Sequence, residues 1–393
     1  MLTTLHRRLT IGCCLLILAF SLAPLAAQSD STAVIRAYAI DAAQYYFELS
    51  PDGRTAAIFI ESLLLGDDDD PTPYLPIRLL DLTSGTVAEQ VEQDGYTLSL
   101  MTGESAKLLT GPTDFAGDVL FSPDGTQLIS FHLNGDIYIW DVATGTQVTY
   151  LPQPVIQFRG LTWMPNQEQF MSVSGTQPTT FALWNREDFS IQRLYGFPTP
   201  NLRQFSDAMN SMEDRFEYMF LSYAISPDGR YIAAANHNDG LVMFDLADNS
   251  MATLVPSEEQ FGQVGITHMQ FTNDGQALYY ADTQTKDRRP VLYRLGLPNG
   301  QPEAPVALER GGAPFDLSAD NQRLAWFENQ DDFYTLYAAD LAQSEIVHLF
   351  ATSNRVIPRW RSLQFTADRS HLIFGGMVIQ GEPNLLLVIP APQ

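Results

Sequence analysis

With 393 residues, 45% of them hydrophobic, the chain can bury a core large enough to do without disulfide staples. Its formal net charge of −24 repels phosphate backbones and anionic headgroups, which speaks against nucleic acid and acidic membrane surfaces as partners. The only cysteines are Cys13 and Cys14, so the chain beyond them has no thiol nucleophile, no thiolate metal site and no disulfide.

At the N-terminus, His6, Arg7 and Arg8 precede an uncharged apolar run, Leu9–Ala23, and then small residues up to Ala27. That order reads as a secretory signal, residues 1–27, cut after Ala26 or Ala27; an uncleaved anchor helix is the alternative and would be the only membrane contact. Both cysteines fall inside it. No Asn-x-Ser/Thr sequon occurs, which points to a bacterial protein outside the cytoplasm, whether secreted, periplasmic or held in the envelope. Residues 28–393 are then expected to form one domain.

A turn recurs along that domain. LSPDG carries Asp52, FSPDG Asp124, WMPNQ Asn166, ISPDG Asp228, FTNDG Asp274, LSADN Asp320 and FTADR Asp368. Each follows an apolar strand and precedes an alternating one. The spacings are 72, 42, 62, 46, 46 and 48 residues. Four of them lie near the ~40–50 residues of one propeller blade, and the two long ones read as insertions. A third-strand pattern recurs with it, as in Ile77–Gly85, Asp136–Gly145, Leu241–Asn249 and Leu336–Ser344. The spacing therefore predicts an all-β, seven-bladed β-propeller of four-stranded antiparallel blades. The last unit has only three strands before Gln393, and Ala33–Ile40 (AVIRAYAI) is spare at the other end. Pairing it with Asn384–Pro390 closes the ring and removes a sheet edge.

The unit Gly111–Gly145 is the clearest copy. Its VLFSPDG, QLISFH, NGDIYIWD and ATG segments give strands joined by tight turns, with Asn-Gly as a two-residue hairpin signal. Over this unit the chain resembles WD40-type repeats, and more loosely the propellers of TolB-like periplasmic proteins. That resemblance implies a buried polar tetrad. Its Trp falls on Trp140, its strand hydroxyl on Ser130 and its turn Asp on Asn134, while its His falls on Pro112, which has no imidazole; Asp141, after the Trp, completes the structural motif of the blade. Elsewhere the Trp position holds Leu80, Trp184, Phe244, Leu295 or Ala339, so most blades are expected to be held by apolar packing.

The long connections fall at the blade end opposite the SPDG turns: Leu63–Tyr74, Glu89–Gly117 between the first and second units with an extra strand expected at Tyr96–Leu100, Phe197–Phe220 with a short amphipathic helix from Ser206, Gln284–Pro290 and Thr352–Arg361. Insertions on one face of a rigid scaffold suit binding. Candidate binding residues there are Arg203, Phe216, Lys286, Arg288, Arg289, Arg355, Arg359, Trp360 and Arg361. A guanidinium cluster beside an aromatic ring could hold an acidic peptide or a sugar acid. The run Asp67–Asp70 lacks calcium-loop spacing and reads as a solvated hairpin tip.

No nucleophile elbow, zinc-protease helix, dinucleotide loop, P-loop or C-x-x-C occurs. His132, His237, His268, His348 and His371 are scattered without ligand spacing. No metal, cofactor or catalytic residue is assigned. The expected function is a monomeric, non-catalytic scaffold that binds a protein; a sugar or small-ligand binder, or an enzyme built on the central channel, is the alternative.

Overall fold

In the computed structural model the described residues run from 33 to 391 with gaps at connections, the longest being 60–75, 197–221, 257–265 and 283–290. They form seven antiparallel-built sheets, the blades of a seven-bladed β-propeller, with no helix among them. Contacts divide the chain into two compact units, Gly111–Gly311 and Met1–Thr110 with Gly312–Gln393.

The first of these holds blades two to five, each of four strands hydrogen-bonded in chain order. Blade two shows why the sequence folds this way. Its second strand, Gln127–His132, and third, Ile137–Asp141, are buried almost throughout, whereas its fourth, Thr146–Leu151, is largely exposed. The middle strands lie between neighbouring sheets and must be apolar on both sides, so the two-residue alternation survives only in which neighbour each side chain meets. Ile129, Phe131, Ile137 and Ile139 of blade two pack on Phe170, Ala182 and Trp184 of blade three. The alternate residues Met171, Val173, Phe181 and Leu183 of blade three pack on Ile232, Ala234, Val242 and Phe244 of blade four. Ala233, Ala235 and Leu241 then meet Leu278, Tyr280 and Leu295 of blade five. Trp184 stacks on Phe170 at 5.9 Å between centroids, and Phe131 meets its edge at 5.5 Å.

The other unit holds blades one, six and seven. Strand Ala33–Ile40 pairs antiparallel with Asn384–Pro390, Arg36 opposite Val388 and Ile40 opposite Asn384, as the spare N-terminal strand led us to expect. It is not the end of the sheet, however. Its other side pairs parallel with Tyr96–Met101, which pairs antiparallel with Val87–Gln93. The last blade therefore has six strands rather than four. Leu98 and Leu100 of this added hairpin join Ile35, Ala37 and, from blade six, Leu336 and Leu349 in one core.

The hairpin corrects the reading of Glu89–Gly117 as the link between units one and two. Blade one takes its fourth strand from Lys107–Leu109, paired with Ile77–Leu79. The insertion thus lies within blade one, after its third strand, at the same end as the SPDG turn. Leu63–Tyr74, Gln284–Pro290 and the helix expected from Ser206 lie wholly or almost wholly outside the described residues.

Candidate functional site

All seven first turns are built alike. In blade two, Ser122 Oγ donates to Asp124 Oδ1 at 2.6 Å and accepts from Gln127 N at 2.9 Å, while Thr126 N donates to the same Asp124 oxygen at 3.0 Å. Blades one, four and six repeat the set through Ser50–Asp52, Ser226–Asp228 and Ser318–Asp320. Blades five and seven use Thr272–Asp274 and Thr366–Asp368. In blade three Asn166 Oδ1 accepts from Glu168 N at 3.0 Å. The next residue is left-handed in every copy: Gly53, Gly125, Gln167, Gly229, Gly275, Asn321 and Arg369. Glycine reaches that conformation without cost, which is why the motif reads so clearly where it ends in Gly.

These bonds stabilise the ionised carboxylates. The Ser122 hydroxyl, then Thr126 and Arg186, hold Asp124 far below the usual carboxylate range. Thr366 and Ser370 pull Asp368 down to about 2. Asp274 and Asp320 move the same way, led by Thr272 and Ser318. Their chemistry is spent on the turn.

The tetrad implied by the resemblance is present in altered form. Trp140 Nε1 donates to Ser130 Oγ at 2.9 Å. His132 Nε2 lies 3.0 Å from that oxygen, so the imidazole missing at Pro112 is supplied two residues along the same strand face. All three are buried. Asn134 takes no part: it is exposed and bonds Asp136, through Asp136 N to Oδ1 at 3.0 Å. Asp141 caps the third turn instead, accepting from Thr144 N at 2.7 Å. Blade three has the same indole bond, Trp184 Nε1 to Ser172 Oγ at 2.8 Å. In blade six a tryptophan occupies the serine's register, and Trp326 Nε1 turns to Glu328 Oε1 at 2.9 Å.

Bulges in the first strands release backbone amides that neighbouring blades recapture. In blade three the ladder breaks between Arg159 and Thr162, and Leu161 N donates to Asp118 Oδ2 of blade two at 2.7 Å. Phe365 N of blade seven, in the regular ladder beyond that strand's bulge, also reaches the neighbouring blade, donating to Asp316 Oδ2 of blade six at 2.7 Å. At the turns, Arg186 Nη2 of blade three meets Asp124 Oδ2 of blade two at 2.6 Å, and Arg369 of blade seven meets Asp320 of blade six. A groove of about 650 Å³ lies beside Arg186, walled by Ile139, Val148, Glu168, Glu187 and Phe189.

Of the candidate binding residues, Arg203, Phe216, Lys286, Arg288, Arg289 and Arg355 lie outside the described residues. Arg359, Trp360 and Arg361 fall on strand Val356–Phe365. The ladder there jumps from Pro358 opposite Gly376 to Leu363 opposite Phe374, so these three and Ser362 share one bulge opposite Gly375. Among the described residues no three His, Cys, Asp or Glu side chains gather as a metal site.

No protein-family profile matches the chain. It is 28% identical over 142 residues to protein HIR1 of two Cryptococcus neoformans strains, a stretch that is 35% of this chain and 14% of the relative. The chain thus spans about 14% of the curated relatives it matches. Its fold resembles the solved β-propeller domain of Cps50 (Swd1) from Myceliophteria thermophila, with a TM-score of 0.56 and 13% identity over 89% of this chain and 97% of that one. That likeness shows the fold, a β-propeller. The expectation of an extracytoplasmic bacterial protein is overturned, because these similar proteins come from eukaryotes; the segment 1–27 on which it rested lies outside the described residues.

Proposed function

We propose that the chain is a non-catalytic propeller scaffold that holds a protein partner on its long connections. The observation that carries this reading is the sevenfold turn. In six of its copies a hydroxyl and a carboxylate close on each other and on the backbone, and the buried indoles and imidazole of blades two and three close on serine hydroxyls. Polar groups committed to the frame make rigid blades, and rigid blades are what variable loops need as a mount. The likeness to WD40-type propellers supports the same reading.

The basic cluster Arg355, Arg359 and Arg361 with Trp360 is the proposed contact for an acidic segment of the partner, since guanidinium groups pair carboxylates in bidentate fashion. The test is capture of a labelled Glu-rich peptide, and of native partners, by the parent, by a variant lacking 197–220 and by one with the three arginines changed to serine. Loss of capture with unchanged melting supports the reading. Equal capture by all three proteins sinks it.

A further inference from the structure

The strand Val87–Gln93 stands two strands beyond the four-stranded plan, and among the described residues its outer side has no partner in the sheet. Val87, Ala88, Gln90 and Glu92 are exposed, with Val87 at 49%. The bulge between Val87 and Glu89 brings Val87, Gln90 and Glu92 to one face, opposite Met101, Ser99 and Thr97, so that this face of the strand reaches solvent, while Leu98, Ser99 and Leu100 of Tyr96–Met101 behind it are buried. A bare row of backbone N–H and C=O groups is a template for another strand, and proteins usually blunt it with lysine or proline. This edge has neither, and its bulge between Val87 and Glu89 leaves Glu89–Gln93 regularly paired behind it. Residues 82–106 contain no Lys, Arg or Pro, and carry Glu89, Glu92, Asp94 and Glu104.

We infer that this edge docks an extended, lysine- or arginine-bearing segment of a partner protein, which adds as a further strand of the closing sheet. Main-chain bonds would supply affinity, and cross-strand charge pairs would supply selectivity. Two copies of this chain pairing edge to edge would bring Glu89 and Glu92 together with their equivalents, which like-charge repulsion disfavours. A cationic segment meets the opposite situation, and the net charge of −24 speeds its approach. The inference builds on the scaffold reading but uses a different surface and ligand of opposite charge.

The experiment is fluorescence anisotropy with two labelled eight-residue peptides, one alternating Val and Lys and one alternating Val and Glu, against the full chain. The Val-Lys peptide is expected to bind at least ten times tighter than the Val-Glu peptide. Glu89→Lys with Glu92→Lys should remove that preference, although the chain stays strongly acidic. Hydrogen exchange should show slowed amides in Val87–Gln93 on binding. The variant lacking 197–220 and the triple arginine variant should bind the Val-Lys peptide as the parent does, which separates this edge from the loop surface. Undiminished binding by the doubly substituted protein, or protection elsewhere only, overturns the inference. So does a dimer in solution that the same double substitution alters, since a second copy would then be the occupant.

Discussion

Trp140 and Ser130 are bonded diagonally across one antiparallel pair: the indole N–H meets Oγ at 2.9 Å, while the residue directly opposite Ser130 is Tyr138. The same hydroxyl contacts His132, so one oxygen serves two aromatic partners at a site closed to water. Ser130→Ala should cost about 1–3 kcal/mol, the penalty for leaving buried polar groups unpaired. Adding Trp140→Phe should lower stability by less than the two separate losses combined, because the orphaned indole N–H disappears with it. Denaturant unfolding of the two single variants and the double variant decides this; strict additivity would mean that the bond carries little.

The turn carboxylates make the fold sensitive to acid. Asp124, Asp274, Asp320 and Asp368 all titrate lower in the folded chain than an ordinary aspartate. The unfolded chain therefore binds protons first, at about pH 4. Their contribution is complete above that pH, declines below it, and for Asp368 is gone once the pH has fallen through about 2. Asp368→Asn should flatten stability between pH 4 and 2 and cost less at neutral pH than Asp368→Ala, since Asn166 already fills this place in blade three. Near-UV circular dichroism against pH, with the two variants alongside, measures both effects.

Gly160 sits in the bulge of blade three at φ +59°, and a Cβ there would come within 2.5 Å of Tyr223 Cε1 and 3.2 Å of Val173 Cγ1. Gly160→Ala should be destabilising on two grounds, the left-handed backbone at about 1–2 kcal/mol and the overlap with a ring held between blades. Tyr223→Ala in the Gly160→Ala background should recover only the second part. A calorimetric comparison in which the double variant melts no higher than Gly160→Ala alone would show that the ring is not the obstacle.

Removing residues 1–40 takes away a strand bonded on both sides and leaves Asn384–Pro390 and Tyr96–Met101 as bare edges. It also removes Arg36 and Tyr38, whose side chains donate to Leu82 O of blade one at 2.6 and 2.9 Å. The shortened chain should aggregate or lose its single cooperative melt, and a peptide of sequence AVIRAYAI added during refolding should restore part of it. A shortened chain that stays monomeric and melts as before would refute this.

Much of the architecture was legible because its chemistry is local. Ser or Thr, then Asp two residues on, then Gly, contains every group that its turn needs; four blades carry it whole, and the partial copies at Asn166, Asp320 and Asp368 mark the other three. The pairing of Ala33–Ile40 with Asn384–Pro390 was legible for a different reason, one blade being short by a strand. His132 was missed because the resemblance placed an imidazole at Pro112, whereas alternation along the strand brings residues 130 and 132 to one face and lets His132 reach the same hydroxyl. Of the added hairpin, the strand at Tyr96–Leu100 was legible, but Val87–Gln93 follows directly on the third strand of blade one, and nothing within either announces a partner from another blade. The long connections offered only composition to read, which gives the charges they carry and no rule for where those charges lie.

The place of Ala33–Ile40 between two partners has a consequence for the order of synthesis. Tyr96–Met101 emerges soon after it, whereas the strand on its other side comes last, as the 340 residues separating Tyr45 from its bond partner Leu385 illustrate. A growing chain can assemble Ala33–Ile40 with the hairpin early, and must then carry that three-stranded piece with one open margin until Asn384–Pro390 has been made. Long-range pairing of this kind is slow and leaves sticky intermediates. Asn384–Pro390 is thus the strand that seals the seam, and a chain in which it has not yet paired keeps one side of Ala33–Ile40 open.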